Sequence, residues 1–84
     1  MTSKVVLFSS AKDDFAKLPQ KIRERVAESI NDLEDFPINK RGILKLKPPF
    51  EGYRKRVGNH RVLFDYVDDT VLIRRIMDRK DAYR

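Results

Sequence analysis

Arg54, Arg56 and Arg61 flank the pair Gly58-Asn59, and that spacing is the first sign of chemistry in the sequence. Tyr53–Val57 and His60–Val67 read as strands, with Gly58-Asn59 as a two-residue hairpin turn. Residues directly opposite one another across antiparallel strands share a face. Folding on that turn sets Val57 against His60, Arg56 against Arg61, Arg54 against Leu63 and Tyr53 against Phe64. One face then holds Tyr53, Lys55, Val57, His60, Val62, Phe64 and Tyr66, and is expected to pack on helices. The opposite face holds Arg54, Arg56, Arg61, Leu63 and Asp65.

Like charges placed opposite each other destabilise a bare sheet, so Arg56 facing Arg61 needs a reason. A bound phosphate supplies one, because a guanidinium makes bidentate charge-assisted bonds to phosphate oxygens. With Leu44 and Leu46 pointing inward, Lys45 and Lys47 would extend the same basic face. The competing reading is a solvated, edge-protecting surface, neutralised in part by Asp65 and Asp78. A one-residue slip in register would exchange the two faces.

The elements that must position these side chains follow from periodicity. Lys4–Phe8 is a short β-type run closed by Ser9-Ser10, and Ser10 to Asp13 fits a capping box. Ala11, Phe15 and Leu18 then share one helical face, and Pro19 suits the first turn of a second helix. Ile22, Val26, Ile30 and Leu33 repeat at helical spacing, Phe36 extends the stripe, and Pro37 ends it. From residue 43 the period changes to two. Ile43–Lys47 alternates apolar and basic, Pro48-Pro49 and Gly52 mark a loop, Asp68-Asp69 makes a turn, and Val71–Met77 is a further strand before a polar tail. The fold class expected is α+β, two N-terminal helices packed on a small twisted antiparallel sheet.

Composition sets the bounds. Eighty-four residues make one small domain, 1–84, with a thin core and no deep cavity. No cysteine is present and His60 is the only histidine, so thiolate chemistry and Cys-type zinc sites are excluded, and no metal site or cofactor is expected. The longest apolar run, Val5 to Phe8, is far short of a membrane span, and the N-terminus lacks a secretory apolar stretch; a cytoplasmic protein with no membrane partner is expected. The formal charge is +6. Residues 1–42 carry eight basic and seven acidic side chains, whereas residues 43–84 carry eleven and six, so the excess lies in the strand half and tail. That imbalance suits a polyanionic partner.

Several segments together resemble a known family. Leu18-Pro19, Lys45-Leu46-Lys47, the run Tyr53-Arg54-Lys55-Arg56-Val57-Gly58-Asn59-His60-Arg61-Val62 and the ending Arg79-Lys80-Asp81-Ala82-Tyr83 are similar to the RelE/ParE toxin superfamily of bacterial and archaeal toxin–antitoxin modules. The resemblance implies a β-α-α-β-β-β order. In the RelE branch it implies a metal-independent, ribosome-dependent endoribonuclease that cleaves mRNA in the ribosomal A site by 2′-hydroxyl attack and so inhibits translation. The ParE branch shares the scaffold and poisons DNA gyrase by binding; an inactive toxin relic is a third reading.

Carried over by position, the resemblance implies catalytic roles for Arg54, Arg56, Arg61, Arg79 and Tyr83. Arg56 and Arg61 would hold the phosphate and its transition-state charge, Arg79 the leaving-group side, and Tyr83 a base by stacking or a proton near the 2′-hydroxyl. It implies RNA or ribosome contacts for Lys45, Lys47, Lys55, Arg74 and Lys80. The best-studied RelE branch has lysines at the strand pair where this sequence has Arg54 and Arg56. Arginine effectively never deprotonates, so these two serve as electrostatic stabilisers. If a lysine base is required, Lys45, Lys47 and Lys55 are the candidates; alternatively Tyr83, acidified by guanidiniums, carries the proton, or the ribosome does part of the work. His60 stands where the family has an aromatic residue, and reads as a partly buried replacement beside the turn rather than a general base. Partners implied are a cognate antitoxin in a hetero-oligomer, the ribosome with its mRNA, and operator DNA through the antitoxin alone.

Overall fold

The computed structural model describes residues 3–78. Strand β1 (Lys4–Leu7) leads into helix α1 (Ser9–Ala16) and helix α2 (Gln20–Asp32), which tightens into a 3₁₀ turn at Leu33–Asp35. Four strands follow: β2 (Ile43–Lys45), β3 (Tyr53–Val57), β4 (His60–Val67) and β5 (Thr70–Asp78). They form one five-stranded sheet in the order β1-β5-β4-β3-β2. The class is α+β, with one strand more than the expected order and with one parallel pair: β1 runs parallel to β5, Val5 beside Val71 and Leu7 beside Ile73. An apolar alternation reads the same in both directions, so sequence pattern leaves the sense of a distant strand open.

The helical stripe works as periodicity requires. Val26, Leu33 and Phe36 are buried, and Ile22 and Ile30 pack beside them. From the sheet, Val57, Val62, Phe64, Val71, Ile73 and Ile76 complete the core. Phe36 is its aromatic centre, with edge-on contacts to Tyr53, Phe64 and Tyr66 at centroid distances of 5.1, 5.3 and 4.9 Å. Such edge-to-face pairs set the negative face of one ring against the positive rim of the next.

Ile73 and Ile76 both point into this core although they are three residues apart, which a regular strand forbids. A bulge resolves it. Phe64 pairs with Ile73 and Leu63 with Arg75, leaving Arg74 as the extra residue.

Helix α1 does not use the expected capping box; Phe8 takes the N-cap position with no side-chain bond. The Ser10 hydroxyl donates instead to the Arg74 carbonyl at 2.7 Å, and Asp14 Oδ2 accepts the Ile76 N–H at 3.0 Å. Beyond the end of β1, the side chains of α1 thus satisfy the free edge of β5 that would otherwise invite another strand. Pro19 stands at the N-cap of α2, one position before the first turn, and its carbonyl accepts the Arg23 N–H.

Candidate functional site

The hairpin register is the one the turn predicts. Arg56 pairs with Arg61, Arg54 with Leu63, Lys55 with Val62 and Val57 with His60. Gly58 carries the positive φ of 58° that the first central position of this turn requires. Arg54, Arg56 and Arg61 therefore share the sheet face turned away from Val57, Val62 and Phe64.

Within that face the three arginines differ. Arg56 is exposed and Arg54 half-buried, whereas Arg61 keeps only 7% of its surface. The Arg61 Nη1 donates to the His60 carbonyl at 3.0 Å and, more weakly, to the Gly58 carbonyl at 3.4 Å. Its Nε is buried without a hydrogen-bond partner among the described residues. The turn thus clamps one arm of the fork and leaves a donor unmatched among the described residues, beside an opposed cation, a costly arrangement that an anion would relieve.

The face is not bare beyond the arginines. The chain between β2 and β3 folds over it: Leu46 N–H donates to the Gly52 carbonyl and Phe50 N–H to the Lys47 carbonyl, at 2.9 and 3.0 Å. The Arg74 Nη2 holds the Glu51 carbonyl at 2.8 Å. Its Nε lies 3.2 Å from Asp65 Oδ2, an ion pair by distance whose angle is not that of a hydrogen bond. Arg74, expected as an RNA contact, is thus engaged in tying this loop to the sheet. Asp65 pairs with Arg74 rather than with the three arginines.

The lysines distribute differently from the expectation. β2 ends at Lys45, and Leu44 pairs with Arg54 while Lys45 pairs with Tyr53. Leu44 therefore shares the arginine face, 57% exposed, and Lys45 falls on the side of the helices. Packing explains the inversion, because Ile43 rather than Leu44 joins the core. Lys47 lies in the loop, beside a groove shared with Arg54. Lys55 is on the helix side, as its register predicts, 6% exposed with Nζ donating to the Arg41 carbonyl at 3.3 Å. His60 is half-buried at the start of β4 and lines a small recess with Ile22, Arg25 and Val57. Arg79, Lys80 and Tyr83 lie outside the described residues.

Phe50, 41% exposed, lines the groove that Arg54 shares, a position that strand alternation does not single out. Pro48-Pro49 between Lys47 and Phe50 makes a stiff turn that presents the aromatic. Among the described residues no cluster of three or more His, Cys, Asp or Glu could hold a metal ion, and no helix is long and apolar enough to cross a membrane.

Residues 5–83 match the family model described as the ParE toxin of the type II toxin–antitoxin system parDE. Toxin RelE3 of Methanocaldococcus jannaschii is 31% identical, the match covering 95% of this chain and 94% of that protein. The toxin–antitoxin complex RelBE2 of Mycobacterium tuberculosis contains a chain that superposes with a TM-score of 0.82 at 30% identity, covering 94% of this chain and 100% of that one. The archaeal RelE–RelB complex of Pyrococcus horikoshii gives 0.80 at 25% identity, with 98% and 100% covered.

Proposed function

Since the chain belongs to the ParE toxin family of type II toxin–antitoxin systems, within the RelE/ParE superfamily, we propose that it is a ribosome-dependent endoribonuclease that cuts mRNA in the A site. The observation that carries this reading is Arg61, buried, fixed by the turn and directly opposed to Arg56, with a donor that lacks a partner among the described residues. A phosphodiester supplies the missing acceptors and offsets the repulsion between the two guanidiniums.

In the reaction, a 2′-oxygen forms a bond to phosphorus while the bond from phosphorus to the 5′-oxygen breaks. The proton leaves the 2′-hydroxyl and one arrives on the 5′-oxygen. Negative charge grows on the phosphoryl oxygens meanwhile, and fixed donors stabilise it without reorganising. Arg61 and Arg56 take that role, with Arg54 beside them. Arg79 supports the leaving oxygen, and Tyr83 carries the proton or stacks on a base. The charge of the guanidiniums does the work that a metal ion does in other nucleases. A protein with so shallow a face needs the ribosome to hold the message in line.

The partner that silences the toxin is a cognate antitoxin, as in the RelBE2 and RelE–RelB complexes, and an acidic or amphipathic segment of it suits this basic surface. The complex meets operator DNA through the antitoxin, and the toxin acts in the cytoplasm. The description of the family model favours a second reading, gyrase inhibition by binding. Primer extension on a translated mRNA after induction separates the two, with Arg61→Ala and Tyr83→Ala as controls. Cleavage in the wild-type lane and intact message with both variants is expected. Intact message in the wild-type lane, with DNA breaks and SOS induction, overturns the nuclease reading in favour of gyrase.

A further inference from the structure

A groove of about 450 Å³ lies beside the arginine face, between β2 and the loop that follows it. Its apolar wall is Leu44, Leu46, Pro48 and Phe50, and its charged rim is Lys47 and Arg54; Lys45 lines it from β2, and no carboxylate is among the described lining residues. From this juxtaposition we infer that the groove is a nucleotide subsite in which Phe50 stacks on an RNA base flanking the cleaved phosphate. The inference rests on the nuclease reading and adds to it a binding residue and a place for the substrate strand.

Three observations carry it. The first is rigidity. Phe50 closes the Lys47–Phe50 turn with its own N–H, two prolines fix the backbone between, and Arg74 holds the next carbonyl, that of Glu51. Gly52 anchors the loop further, because no side chain fits there: a Cβ would stand 2.5 Å from Asp65 Oδ1 and 2.6 Å from the Phe64 carbonyl oxygen. A platform ordered in advance spares the entropy that a flexible loop loses on binding.

The second is surface chemistry. Phe50 leaves 41% and Leu44 57% of its surface exposed, side by side with cations. An aromatic face in a basic groove is how proteins hold single-stranded nucleic acid, the cations tracking the phosphates and the ring accepting a base. The absence of carboxylates among the described lining residues sets the groove against an ordinary mixed-charge surface and suits a polyanion.

The third is continuity. Arg54 belongs both to this rim and to the face that carries Arg56 and Arg61. Two residues along a strand span about 7 Å. One to two nucleotides of a strand cover that distance, at about 3.4 Å of rise each when stacked and more when splayed. A strand with one phosphate at Arg56 and Arg61 therefore delivers a neighbouring base to the Phe50 wall.

The test is single-turnover cleavage on ribosomes programmed with a short mRNA, intact or carrying one abasic nucleotide on either side of the cut. Wild type, Phe50→Leu and Phe50→Tyr are compared, with thermal melts to verify folding. On intact mRNA, Phe50→Leu is expected to require roughly 10-fold more toxin for half-maximal rate, and Phe50→Tyr, which keeps a ring, to lie close to wild type. The abasic mRNA should cost wild type the same factor and Phe50→Leu almost nothing, the mark of two groups in one contact. If wild type cuts but Phe50→Leu matches it, or the abasic penalty is equal for both, the subsite is overturned and the nuclease stands. Loss of antitoxin affinity in Phe50→Leu with cleavage unchanged gives the groove to the antitoxin and also overturns it. If wild type cuts no programmed ribosome, the nuclease reading fails and the subsite with it.

Discussion

Arg56 and Arg61 occupy directly opposed positions of β3 and β4, one exposed and the other buried, both on the face turned away from the helices. Opposed like charges cost a sheet about 0.2–1 kcal/mol, so this pair is held against its own repulsion. Arg56→Thr should therefore raise the melting temperature by a few degrees. It should also lower mRNA cleavage by about 10²–10³-fold, the usual effect of removing one donor to a developing negative charge. Calorimetry and a ribosome cleavage assay check the two halves; a variant that melts earlier than wild type removes the argument from repulsion.

Lys55 lies one residue from each strand arginine but on the opposite side of β3, buried and bonded to the Arg41 carbonyl. A group on the helix side of the sheet does not reach a phosphate on the other. Lys55→Met is expected to leave the cleavage rate unchanged while changing only the stability, since replacing a buried charge with an apolar chain of similar length is often neutral or better. A cleavage rate that collapses in this variant, with the fold intact, would make Lys55 the missing base.

Asp14 fastens α1 to β5 through Arg75, at 2.7 Å, and through the Ile76 N–H. Burial pushes its carboxyl upward, but the hydrogen bonds from Arg75 and Ile76 and the charges of Arg75 and Lys17 outweigh it, holding the group below its ordinary value. A depressed folded value means that the stabilisation is present above the unfolded carboxylate value of about 3.9 and is lost as pH falls through the folded one. Asp14→Ala should cost about 1–2 kcal/mol at neutral pH. The gap between the two melting curves should close progressively below about pH 4; a gap that stays constant down to pH 2 contradicts the linkage.

Gly52 and Gly42 both have positive φ, 92° and 72°, but only Gly52 lacks room for a methyl group. The nearest atom to a Cβ at Gly42 is the Arg56 carbonyl oxygen at 3.7 Å, an ordinary contact. Gly42→Ala should cost about 1–2 kcal/mol, the left-handed penalty alone. Gly52→Ala adds a collision with Asp65 and with the β4 backbone, and should unfold more easily than Gly42→Ala in urea. Equal midpoints would mean that the loop shifts freely, and would weaken the case for a rigid Phe50.

The sequence by itself determined the local elements and the hairpin. Ile22, Val26, Ile30 and Leu33 can share one face only as a helix, and Gly58-Asn59 between two alternating runs points to the turn that sets Arg56 against Arg61. Both rest on short-range rules, the period of the backbone and the conformations a turn residue permits. What only the tertiary structure decided involves partners far apart in sequence. β1 lies parallel to β5, Arg74 is squeezed out so that Ile73 and Ile76 both reach the core, and Ile43 enters the core so that Leu44 lies with Arg54. Residue patterns fix which side chains avoid water, but several pairings satisfy one pattern equally. The choice among them is made by three-dimensional packing, which also set Phe50 in one groove with Arg54.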